Sequence, residues 1–396
     1  MSGAGDPSRA LHIFLIAGEK SGDELGARLI PALRQEAGGD VRFSGVGGDA
    51  MQGQGLKSLF PLTEIAVMGF LPVLARLPSL LRRIRQTADA VNAARPDVFV
   101  IIDSPDFTHR VARRVRARLP DMPIVDYVSP TVWAWRPGRA KKMRAYVDHV
   151  LALLPFEPAA HQRLGGPQCT YVGHPLIERL TDLRASAPEV RARDGKPPLV
   201  VVLPGSRRSE IARLMDVFGE TVARVAKTVG DVEFVLPAVA HVEDEIRARC
   251  ANWPVKPRIV TGEAEKFAAF RRARAALAAS GTVTLELGLA QIPMVVGYRV
   301  PKLEEHIVRM MTQLRSFVLP NLILDATPIP GFLQEECNAV NLTAALAPLL
   351  RDGPERAAQM AALERLDQLM RLPDGESPST RAARLILAAA HRQTAP

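Results

Sequence analysis

The chain has 396 residues, with 51 Lys and Arg against 42 Asp and Glu for a formal net charge of +9, and is 47% hydrophobic and 23% charged. That balance excludes a largely disordered chain, and the length favours two domains, each able to bury a core unaided. The three cysteines, Cys169, Cys250 and Cys337, are odd in number and widely spaced. They exclude a disulfide scaffold and a structural zinc site, and they point to a reducing compartment.

No basic leader precedes the first apolar run, Leu11–Ala17, which is too short for a signal core and suits a buried strand. Further strands are expected in VRFSGVGG, PDVFVIID, MPIVDYV and VDHVLALL, with helix patterns such as DELGARLIPALRQEAG and HRVARRVRARLP between them. Apolar runs buried on both faces and separated by helices indicate a parallel sheet. The longest apolar stretch, Glu64–Leu81, is broken by Pro72, Arg76 and Pro78 and followed by Arg82, Arg83 and Arg85. A spanning helix needs about 20 nearly uncharged residues, so this segment reads as a surface that dips into lipid or as an amphipathic segment packed on its own lobe.

Thr181–Pro198 is polar and lacks an apolar period, which suits a flexible junction. The strand rhythm restarts with LVVVLPGSRR, VEFVLPA, RIVTG, AALAASG and PMVVGYR, and becomes helical after about Asn341. The expected organisation is an N-terminal lobe over 1–180, a linker over 181–198, a second lobe over 199–340 and a helical tail over 341–396. The fold class is α/β, with two facing, doubly wound, Rossmann-like lobes. The tail either packs back on the N-terminal lobe or exchanges with a second copy in a homodimer. Open α/β sheets bind ligands beyond the carboxyl ends of their strands, which makes the cleft between the lobes the default site.

Several strand ends carry chemistry. In GEKSGDELG, Gly18 allows a ligand to approach backbone amides, while Ser21 and Asp23 can cap the following helix. The segment GVGGDA over Gly45–Ala50 matches a dinucleotide fingerprint but opens a poor helix, so a glycine loop lining the cleft is preferred. In VIIDSPDF, Asp103 stands at the strand tip, where a carboxylate can accept a substrate proton; Asp106 competes with it. Trp133 and Trp135 beside Arg136 and Arg139 suit sugar stacking or a lid packed on the core. In LPGSRRSE, Gly205 turns the chain and Ser206 opens a helix whose amides attract phosphate, with Arg207 or Arg208 adding a charged contact. Gly281 and Thr282 repeat that geometry, and Glu286 lies one turn inside the helix. Asn321 in LPNL and Gln334 in QEEC are polar residues in apolar surroundings. No Asp-x-Asp, G-x-S-x-G or H-E-x-x-H occurs, and the dispersed positive charge matches no nucleic-acid-binding motif.

Taken in order, SGDELGA, GVGG, VMGF, IIDSPDF, YVSPTVWAWRPGR, LPFE, YVGHPL, LPGSRRSEI, ASGTVTLELGL, PMVVGYR, LPNLI and LQEEC resemble the lipid-A-disaccharide synthase family from about Ile13 to Cys337. The resemblance implies a GT-B glycosyltransferase with no metal and no cofactor. It would join a UDP-2,3-diacylglucosamine donor to a 2,3-diacylglucosamine 1-phosphate acceptor, giving a β(1→6) disaccharide 1-phosphate and UDP. It raises Asp103 as the base and Arg207 as the diphosphate ligand, with Glu286, Asn321 and Gln334 in the UDP pocket. Gly18, Ser21, Asp23, Ser206, Gly281 and Thr282 complete the polar set, and Met68 and Phe70 offer an apolar rest for acyl chains. The implied setting is the cytoplasmic face of the inner membrane, held peripherally, with no nucleic-acid partner. Two other readings stand beside it, a UDP-sugar epimerase of similar fold and a non-enzymatic lipid-binding protein.

Overall fold

The computed structural model describes residues 10–65, 70–300 and 315–391, and the side chains of these except 70–76 and 374. The chain forms two compact units: one runs to Ile177 and takes up the chain again from Leu372, the other is Glu178–Arg371.

The first unit is built on a seven-stranded parallel sheet. In chain order its strands are β1 (Leu11–Ala17), β2 (Val41–Val46), β3 (Lys57–Ser58), β4 (Val98–Ile102), β5 (Ile124–Tyr127), β6 (His149–Ala152) and β7 (Gln168–Tyr171). They lie in the order β3-β2-β1-β4-β5-β6-β7. Side chains alternate across a strand, so Ile13, Leu15 and Ala17 enter one core while Phe14 and Ile16 enter the other. Both faces are buried, which is why β1 and β4 are continuous apolar runs rather than alternating ones.

The second unit carries β8 (Leu199–Leu203), β9 (Glu233–Ala238), β10 (Arg258–Thr261), β11 (Ala275–Ala279), β12 (Met294–Tyr298) and β13 (Gly331–Leu333). Their order, β10-β9-β8-β11-β12-β13, repeats the arrangement of the first six strands of the other sheet. This is the doubly wound order, and in each unit the winding reverses beside the first strand: between β1 and β4, and between β8 and β11. The loops that leave those four strands are GEKS, DSPD, PGSR and SGTV.

Residues 181–198, expected to be a flexible linker, fold as part of the second unit. Short helices form over Leu180–Leu183 and Ala187–Ala192. Arg193 is buried, and its guanidinium donates to the carbonyls of Phe270, Arg271, Ala290 and Gln291. Spread-out apolar positions hid this packing from a search for periodicity. The helical tail divides: Pro354–Met370 stays in the second unit, and Pro378–His391 returns to the first, where Ala382, Ala383, Ile386 and Leu387 complete the core beside helix Lys20–Ala37. Among the described residues no helix is long and apolar enough to cross a membrane.

Candidate active site

In the second unit the reversal between β8 and β11 opens into a cavity of about 570 Å³. Gly205, Ser206 and Arg207 line it from the loop after β8, and Ser280, Gly281 and Thr282 from the loop after β11. Glu286 enters from helix Val283–Leu289 and pairs with Lys266 at 2.5 Å. Lys266 lies on another helix, Glu263–Arg272, and sits over the rings of Phe267 and Phe270 at 5.3 and 5.5 Å. The arrangement therefore combines glycine-lined loops, an exposed arginine and a carboxylate fixed by a cation, which together suit a ligand bearing both phosphate and hydroxyl groups.

Glu210 organises this loop, a role not foreseen from the sequence. Its carboxylate accepts from the amides of Ser206 at 3.1 Å and Arg207 at 3.3 Å, and pairs with the Arg207 guanidinium at 3.2 Å. The amides expected to meet phosphate are thus engaged by the chain's own carboxylate. The Arg207 side chain is 66% exposed, and it is free to turn towards a ligand once a stronger anion competes for it. Gly205 is required twice over: its φ is 110°, and a Cβ there would stand 2.4 Å from a Glu210 oxygen.

In the first unit the equivalent reversal brings the loops after β1 and β4 together. Asp103 has φ 53° and Ser104 φ 46°, so the chain bends sharply where β4 ends. One carboxylate oxygen of Asp103 accepts the Ser21 hydroxyl at 3.0 Å and the other accepts the Ser104 amide at 2.7 Å. A carboxylate has about four acceptor positions, so two stay open for a substrate hydroxyl. Gly18 lets these loops meet, since a Cβ there would fall 2.3 Å from the Cβ of Ser104. Asp106 differs: it is 82% exposed on helix Pro105–Arg118 and 3.4 Å from Arg139.

Comparison with known proteins adds the family. A family model described as Lipid-A-disaccharide synthetase matches residues 13–384. A lipid-A-disaccharide synthase from Rhodopseudomonas palustris strain HaA2 is 56% identical over 95% of this chain and 95% of its own. One from Nitrobacter winogradskyi is 56% identical over 97% of this chain and 96% of its own. The chain belongs to this family. It is therefore a glycosyltransferase, and its fold is GT-B. Solved structures with the same fold include a UDP-N-acetylglucosamine 2-epimerase described as putative, from Listeria monocytogenes, with TM-score 0.61 and 15% identity over 98% of both chains. MurG of Acinetobacter baumannii gives TM-score 0.58 and 14% identity over 96% of this chain and 99% of its own. At such identities the likeness concerns the fold alone, and membership of the synthetase family sets this chain apart from the epimerases.

Other expected site residues of this synthetase family member have different surroundings. Asp23 is buried and caps a neighbouring helix instead of its own, accepting from Gly48, Ala50 and Met51 at 2.7, 3.0 and 3.1 Å. The GVGG loop is thereby closed over a carboxylate. Asn321 and Gln334 do not line the cavity. Asn321 exchanges two hydrogen bonds with the backbone of Ile329 and donates to Ser316, which fixes the loop ahead of β13. Gln334 accepts from the Val300 amide at 2.8 Å and extends the β12–β13 pairing by one step. Trp133 packs edge-on against Phe156 at 5.1 Å and donates to buried Glu157 at 3.1 Å, so the WAWRPGR loop is pinned from beneath. Met68 lies outside the described residues, and of Phe70 only the backbone, at the start of helix Phe70–Ala94, is described.

Proposed function

We propose that this glycosyltransferase moves the diacylglucosamine of UDP-2,3-diacylglucosamine onto the 6-hydroxyl of 2,3-diacylglucosamine 1-phosphate. Asp103 takes the hydroxyl proton as the oxygen attacks C1 of the donor from the face opposite UDP. The new bond forms as the C1–phosphate oxygen bond breaks, which inverts C1 and releases UDP with its added negative charge. Arg207, turning from Glu210, and the backbone of Gly281 and Thr282 meet that charge, with the Ser206 hydroxyl beside them. Glu286, oriented by Lys266, accepts from ribose hydroxyls. Asn321 and Gln334 act away from the pocket, holding the loop ahead of β13 and the segment after β12.

What carries the reading is the family match over nearly the whole chain, together with a carboxylate and an arginine placed at the reversals of the two sheets. A solved structure of similar fold, Staphylococcus aureus MnaA, is described as a complex with UDP. The enzyme works peripherally at the cytoplasmic face of the inner membrane. The apolar segment 66–74, whose side chains lie outside the described residues, supplies the lipid-facing part of this reading by its composition alone. After it Arg82 and Arg85 are exposed and available to anionic headgroups, whereas Arg83 is held by Glu64 at 2.5 Å and by the Phe60 ring at 4.7 Å. Incubating the full chain with both lipid substrates and identifying products by mass spectrometry tests the reaction. Equal amounts of tetraacyl disaccharide 1-phosphate and UDP are expected; free sugar epimer, or lipid binding with no UDP release, would replace this reading by one of its rivals.

A further inference from the structure

The first unit holds a second cavity, of about 550 Å³, alongside helix Pro105–Arg118. Arg110, Arg113 and Arg114 reach it from one face of that helix, at the three- and four-residue spacing that aligns side chains. Arg136, Arg139 and Lys142 reach it from the segment WRPGRAKK. Among the described residues its one lining carboxylate is Asp106, which is 82% exposed and pairs with Arg139 alone at 3.4 Å, leaving the other five cations without a lining counter-charge.

Cations that converge from two stretches of chain repel one another, and a concave wall concentrates their field. Two of the arginines are also oriented rather than loose. Arg113 lies over the Tyr146 ring at 4.7 Å and donates to its hydroxyl at 3.3 Å, while Tyr146 is buried against His109 at 3.1 Å. Arg136 stacks on Trp135 at 5.1 Å. Oriented guanidinium forks around a hollow match the three oxygens of a phosphate monoester.

The position of this cavity narrows the ligand. Its wall begins at Pro105, two residues beyond Asp103, which puts the Cα of the base within about 8 Å of the rim. In a hexose 1-phosphate the phosphate stands on C1, and the 6-hydroxyl stands on C6, which hangs from C5 on the other side of the ring oxygen. Whatever deprotonates the one must therefore lie about a sugar's width from whatever holds the other.

We propose that this cavity binds the 1-phosphate of the acceptor sugar, an inference that rests on the acceptor assigned above. A bilayer headgroup phosphate has the same chemistry, so the test separates the two sources. The variant Arg110→Gln/Lys142→Gln alters two exposed side chains and spares the buried Tyr146 contact. Its turnover is measured in neutral detergent micelles with 2,3-diacylglucosamine 1-phosphate and with the same lipid lacking phosphate, and its sedimentation with phosphatidylglycerol vesicles is compared with wild type. The expected result is a drop of about tenfold or more in kcat/KM for the phosphorylated acceptor, so that the preference for it over the dephosphorylated lipid collapses, with UDP affinity by calorimetry held. An unchanged preference overturns the proposal, and so does a loss confined to vesicle binding, which would assign the cations to the bilayer. Wild-type enzyme that makes no disaccharide at all would instead remove the reaction on which the inference rests.

Discussion

Asp103 and Ser104 hold positive φ values of 53° and 46°, a conformation that costs non-glycine residues on the order of 1–2 kcal/mol each. The bend turns the carboxylate out of the strand line and onto Ser21. Replacing Ser21 by Ala removes one hydrogen bond, worth about 1 kcal/mol, so turnover should fall about fivefold with UDP affinity unchanged; equal turnover would show that the hydroxyl does not orient the base. Gly205→Ala drives a Cβ into the Glu210 carboxylate and forces Ala to a φ of 110°, so it should cost about 1–3 kcal/mol of stability and weaken UDP binding by the folded protein about tenfold, measured by calorimetry. Undiminished UDP affinity would place the nucleotide away from this loop. Glu157 gives a pH test. Burial pushes its carboxyl up to about 7 from 4.5, although hydrogen bonds from Leu154 and Trp133 pull the other way. The folded chain thus keeps a proton that the unfolded chain has lost between pH 4.5 and 7, so stability from this group falls as pH rises through that window and is level above it. Glu157→Gln should remove that fall, up to about 3 kcal/mol, which thermal unfolding of both proteins at pH 5 and pH 8 would reveal as a smaller drop in the variant. Asp103 was legible because a carboxylate at the tip of an apolar run stands out. Glu210 had a signal too, an acid three residues after the helix cap. Lys266 had none, since its partner lies 20 residues away on another element; Trp133 stood out as an aromatic beside cations, but its partner Glu157, 24 residues on, did not.

At the scale of elements, long apolar runs such as LHIFLIAG and PDVFVIID declared themselves because both faces of each strand are buried. The short strands β3, β7 and β13 did not, having two to four residues that owe their pairing to neighbours already in place. The tail was readable as helical but not as divided, because the face that decides each partner is small and alanine-rich. The last helix fills the core beside Lys20–Ala37, with Ile386 fully buried and Arg384 tied to Glu36 at 2.6 Å. Ile386→Ala should lower stability by about 2–4 kcal/mol in denaturant unfolding. A loss under about 0.5 kcal/mol would mean that the helix does not belong to this core.

At the scale of the molecule, one winding pattern occurs twice and is put to two uses. The first sheet's reversal presents a carboxylate, and the second sheet's reversal presents glycine loops and an arginine. Duplicate strand orders were within reach of sequence reading, since the run of strands restarts after residue 198; the division of labour rested on Asp103 and Arg207 standing on opposite sides of the two reversals, after β4 in one sheet and after β8, the counterpart of β1, in the other. That division predicts separable defects. The decisive measurement compares Asp103→Asn with wild type in single-turnover transfer from UDP-diacylglucosamine, alongside UDP affinity by calorimetry. Transfer should drop by about 10²–10⁴ while UDP binds as before. Near-normal transfer by folded Asp103→Asn protein would contradict the account.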